Sequence, residues 1–89
     1  MKIAKVIGNI WSTRKDENLQ GFKFLVIKDL YNDNETTVAV DGGVGAGSGD
    51  LVLVVGGSSA RVSLNADKNI PVDSTIVGVI DSVDTFDKD

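Results

Sequence analysis

Seven of the chain's ten glycines fall between Val38 and Arg61, in the run VAVDGGVGAGSGDLVLVVGGSSAR, at Gly42, Gly43, Gly45, Gly47, Gly49, Gly56 and Gly57. Two apolar, β-type runs, residues 38–40 and 51–55, bracket the first five. Glycine reaches positive φ without steric cost and lets backbones approach closely. The stretch therefore predicts a tight, shaped connection between two strands. A flexible linker would lack such apolar flanks. The run does not have the form of a phosphate cradle. A P-loop closes on a Lys-Ser/Thr pair, and no lysine lies between Lys28 and Lys68. A dinucleotide fingerprint opens a helix, whereas Asp50 here leads into Leu-Val-Leu-Val-Val, an aliphatic and β-branched run of strand character.

A chain of 89 residues is read as one domain, 1–89, with residues 82–89 an acidic C-terminal tail. A domain of this size buries only about 60–65% of the surface its unfolded form exposes. The sequence has no cysteine and no histidine, which excludes disulfide staples and zinc sites built on those ligands. Yet 42% of the residues are hydrophobic, a large aliphatic share for a small core, and chains of this kind gain stability by oligomerising. A net charge of −4 argues against nucleic acid or an anionic membrane as partner. The N-terminus has no apolar run of signal-peptide length, and nothing approaches a membrane span. The expected location is the cytoplasm.

Residues 2–11, KIAKVIGNIW, are apolar on both parities, which predicts a strand covered on both faces. Gly8 in its middle predicts a bulge or sharp bend. Residues 12–20 read as a polar loop. A second strand is expected over 22–31, with Phe22, Phe24, Val26 and Leu30 on one face and the mixed set Lys23, Leu25, Ile27, Asp29 and Tyr31 on the other. Residues 32–35, Asn-Asp-Asn-Glu, have turn composition, and residues 36–40 complete a hairpin. Residues 51–55 form the fourth strand and 75–80 the last. A short helix beginning at Ser58 or Ser59 is the one helical segment expected. Five short strands with glycine corners predict an all-β, OB-like five-stranded barrel. At least three strands are apolar on both faces, so the outside of such a barrel needs a cover, and an exposed apolar patch marks an interaction site. The sequence predicts an obligate oligomer.

Four motifs bear a resemblance. Ala4-Lys5-Val6-Ile7-Gly8 continues to Ser12-Thr13-Arg14-Lys15, and Leu19-Gln20-Gly21-Phe22 runs on through Val26. Ala39-Val40-Asp41 is followed by Val44-Gly45-Ala46-Gly47, then by Gly49-Asp50 and Gly57-Ser58-Ser59-Ala60-Arg61; Pro71-Val72-Asp73 leads to Ile76-Val77-Gly78-Val79-Ile80-Asp81. In this order the chain resembles the bacterial microcompartment vertex proteins of the EutN/CcmL family. The resemblance implies a small OB-like barrel that assembles as a cyclic pentamer and closes the fivefold corners of a carboxysome or metabolosome shell. It further implies hexameric facet proteins as neighbours and no catalytic activity. Two positions depart from the family's pattern. Gly42-Gly43 follows Asp41 where about one residue is expected, and Trp11 stands where a smaller aliphatic residue is usual. Trp11 is read as a packing residue or as an exposed partner contact.

The candidate subunit-interface or pore-loop residues are Asp41, Gly45, Gly47, Ser58, Ser59 and Arg61, and the candidate shell contacts are Thr13 and Lys15. Arg61 is read in two ways. It forms a salt bridge within or between subunits, with Asp41 or Asp50 as partner, or with Ser58 and Ser59 it forms an anion site. Without cysteine or histidine, acid–base chemistry would rest on carboxylates, lysines or Tyr31 alone. No catalytic, cofactor-binding or metal-ligating residue is assigned, and no cofactor is expected. The competing reading is an OB-fold binding module for nucleic acid or a small ligand. A single-strand binder needs a basic groove with stacking aromatics, and this acidic chain does not supply one.

Overall fold

The computed structural model describes residues 1–10, 21–57 and 73–85. Five strands occur among them: β1 (Lys2–Ile10), β2 (Phe24–Asp29), β3 (Thr36–Asp41), β4 (Leu51–Gly56) and β5 (Ser74–Ile80). They close a barrel in the order β1-β2-β3-β5-β4, with β4 pairing back to β1. Every pairing is antiparallel except β3–β5, which is parallel. The helix expected from Ser58 lies outside the described residues.

Alternation along the strands fills the interior. Ala4 and Val6, Leu25 and Ile27, and Val52 and Val54 are fully buried, and Ala39, Ala46 and Ile76 complete the cluster. On β2 the mixed face turns inward, with Leu25, Ile27 and Asp29 buried. The strand is shorter than residues 22–31 because the hairpin turn begins early. The Asp29 carboxylate accepts the Tyr31 N–H at 3.1 Å, which supplies a partner for its buried charge. Asp33 and Asn34 then take φ of 54° and 55°, and the Glu35 N–H closes on the Asn32 carbonyl at 3.1 Å. Positive φ at both central residues makes residues 32–35 a tight turn within the six-residue connection between β2 and β3.

The irregularity expected at Gly8 is present. The β1–β2 register slips between Val6 and Gly8, leaving Ile7 unpaired and turned outward, 47% exposed. A second apolar cluster forms outside the wall. Val40 and Val55 alternate with core residues yet are buried, and Phe22, Phe24 and Val77 pack against them. The outer faces of the barrel are thus partly covered and partly bare.

Gly42 marks the closest approach of two segments. Its N–H donates to the Ile76 carbonyl at 2.9 Å, and a Cβ placed there would lie 2.6 Å from that same oxygen. Gly42→Ala therefore forces the two segments apart, and we expect a loss of about 1–3 kcal/mol. The measurement is the urea midpoint at fixed protomer concentration. Gly78→Ala, whose Cβ would meet Leu53 Cβ at an ordinary 3.8 Å, shifts the midpoint less.

Candidate functional site: the loop between β3 and β4

Asp41 ends β3, and its carboxylate gathers the loop that follows. Oδ1 accepts the N–H groups of Gly43 and Val44, both at 2.9 Å. Oδ2 accepts those of Gly45 at 3.1 Å and Ala46 at 3.2 Å. Four consecutive amides can converge on one short side chain because Gly43 and Gly45 take φ of 94° and 77°, a region closed to most side chains. Each bond has an ionised acceptor and is correspondingly strong. The turn is a peptide nest whose anion is part of the chain itself.

The loop is fastened to the barrel at three further points. Ala46 is fully buried in the core, and its carbonyl accepts the Lys23 Nζ at 2.6 Å. Lys23 in turn holds β3, since its carbonyl accepts the Asp41 N–H at 2.9 Å. The far half is organised by Asp50, whose Oδ2 accepts the Gly47 N–H at 2.9 Å. The Gly49 N–H donates to the Val6 carbonyl and the Val6 N–H to the Asp50 carbonyl, at 2.8 and 2.9 Å, which ties this half to β1.

Three expected site residues, Asp41, Gly45 and Gly47, therefore share one rigid loop. Ser58, Ser59, Arg61, Thr13, Lys15 and Trp11 lie outside the described residues. Both carboxylates considered as partners for Arg61 already accept backbone N–H groups. The Gly42-Gly43 pair, the departure noted from sequence, has a physical reason at each position: close approach to β5 at Gly42 and positive φ at Gly43. Sequence reasoning did not find Lys23 or Ala46. The available signals were a lysine just ahead of a strand and the one alanine in a glycine run. Among the described residues no three acidic side chains converge as a metal site requires. Tight bonding within the chain suits the loop to holding a shape.

Asp41→Ala leaves four amides without their acceptor. We expect about 2 kcal/mol of lost stability, in the range for hydrogen bonds to charged groups, with faster hydrogen exchange at Val44, Gly45 and Ala46. Asp41→Asn keeps one carbonyl oxygen but turns an NH2 toward two N–H donors, so it recovers at most half of the protection.

The comparisons with known proteins agree with this architecture. The family model described as "Ethanolamine utilisation protein EutN/carboxysome" matches residues 1–81. The bacterial microcompartment shell vertex protein GrpN of Rhodospirillum rubrum is 45% identical over 89 residues, covering 96% of this chain and 98% of its own. The carboxysome shell vertex protein CcmL of Thermosynechococcus vestitus is 45% identical over 87 residues, covering 93% of this chain and 86% of its own. The solved structure of the GrpN pentameric microcompartment shell protein superposes with a TM-score of 0.82 at 44% identity, over 96% of this chain and 99% of the other. On a match that runs through all five strands, the chain belongs to the EutN/CcmL family.

Proposed function

We propose that five copies of this chain form a ring that caps a fivefold vertex of a bacterial microcompartment shell. The observation that carries the reading is the near full-length likeness, in fold and in sequence, to a solved pentameric shell protein. The role is structural and the chain is not an enzyme. Bare apolar side chains on the outer wall, Ile7 and Val38 among them, support an assembled state, because a stable monomer rarely leaves such surface open. The partners are four further copies and the hexameric proteins of the surrounding facets, inside the bacterial cell. In this reading the loop carrying Asp41, Gly45 and Gly47, with Ser58, Ser59 and Arg61, lies at the subunit interface or the axial pore. Thr13 and Lys15 face the neighbouring hexamer. No observation favours the alternative of an OB-fold module for nucleic acid or a small ligand.

Native mass spectrometry tests the ring, with five times the 9.4 kDa protomer mass as the expected result. Coexpression with facet hexamers tests the vertex: shells close when the chain is present and show open corners when it is omitted. A monomer at micromolar concentration, or shells that close equally well without it, would overturn the reading.

A further inference from the structure

A cyclic ring is built head to tail, so each protomer must present two different faces, one to each neighbour. The described surface offers a matched pair. The first face lies on the outer side of β1, β2 and β3. Gly8, Val26 and Val38 form one row across these strands. The bulged Ile7 stands beside it at 47% exposure, and Val38 is 43% exposed. Gly8 leaves a shallow dent, because even a Cβ there would lie 3.9 Å from Val26. Next along the ladder, Lys5 and Lys28 stand directly opposite each other. Like charges paired across strands are unfavourable, and no ion pair joins either lysine to a carboxylate of the described residues.

The second face is the end of β5 and the residues after it. Val79 is 42% exposed and Val83 37%, and the exposed Asp81 and Asp84 are interleaved with them. In the order β1-β2-β3-β5-β4, β5 stands two strands from β2, the middle strand of the first face, in one direction and three in the other. The two faces complement each other twice over. Each has an apolar centre; one is rimmed by ammonium groups and the other by carboxylates.

We propose that the β1–β2–β3 outer face of one copy receives the β5 end of the next. Val79 and Val83 cover the dent between Ile7 and Val38, and Asp81 and Asp84 face the Lys5–Lys28 pair. This contact rests on the pentamer reading and gives it a residue-level interface. It also explains why two lysines stand opposed on an acidic protein: the carboxylates that offset them belong to the neighbouring subunit.

The test is charge reversal and rescue, read by native mass spectrometry at one fixed concentration with circular dichroism as the control for folding. Lys5→Glu with Lys28→Glu is expected to reduce the fivefold mass to the protomer mass while the β signal stays. Adding Asp81→Lys and Asp84→Lys to that variant restores the ring. A ring that survives the reversal, or one that is not recovered in the combined variant, overturns the contact. A second measurement does not depend on charge. The chain has no cysteine, so Lys28→Cys with Asp84→Cys gives a clean pair for a short bismaleimide. A ladder of linked subunits up to five is expected on a denaturing gel, and unlinked protomers from an intact ring overturn the proposal. A reversed variant that keeps its ring but no longer closes shells assigns the face to a facet protein and also overturns it. These outcomes leave the vertex reading standing, whereas a wild-type monomer removes both.

Discussion

The barrel closes through its shortest ladder, and much else depends on that seam. β3 and β5 run parallel over only two residue pairs, Val40 with Thr75 and Asp41 with Ile76. The Gly42 N–H extends the seam by one bond to the Ile76 carbonyl. Without it the sheet would have two free edges, and exposed edges invite pairing with other chains. Asp41 belongs to both structures: its backbone is in the seam, while its carboxylate folds the loop that follows. One residue thus couples closure of the barrel to the shape of its rim. Gly42 completes the coupling, since any side chain there would push β5 away.

The energetics fit a protein that is incomplete alone. The interior cluster includes three alanines, and its largest members are leucine and isoleucine. A barrel this narrow has no room for a larger core, and its wall is too short to bury both faces of every strand. The remaining apolar surface lies outside. One part is covered within the protomer by the cluster around Val40 and Val55. Another part, around Ile7, Val26 and Val38, is left to solvent or to a neighbour.

Much of the fold was legible in the sequence, and the reason is visible strand by strand. Gly8 within an apolar run signalled the bulge that turns Ile7 outward. Residues 32–35 signalled a turn because asparagine and aspartate tolerate the left-handed region that Asp33 and Asn34 occupy. The glycine run signalled a shaped connection between β3 and β4. Other features were not legible because they depend on convergence in space. Periodicity divides β2 into two faces but cannot say that the one carrying Asp29 turns inward, since the bond that makes this tolerable is to a backbone N–H two residues on. Asp41 presented itself as an interface or ion-pair residue. That it holds four amides follows only from the φ angles of Gly43 and Gly45. Lys23 meets the Ala46 carbonyl across 23 residues of sequence, a contact that no local pattern announces.

The rigidity of this rim bears on how a ring closes at one number. A head-to-tail interface repeats its own rotation, so the angle between a protomer's two faces sets how many copies complete the circle. If that angle wanders, rings of other sizes or open chains form from the same contacts. A closed barrel fixes the relation between β2 and β5 through hydrogen-bonded ladders on both sides. At the mouth, where a glycine-rich connection would otherwise be its softest part, two carboxylates bind five of the loop's amides. The glycines supply the dihedral angles and the aspartates remove the freedom that glycine would bring. The loop that looks most flexible in sequence is thereby held as part of the wall, and the two outer faces are held at a fixed angle.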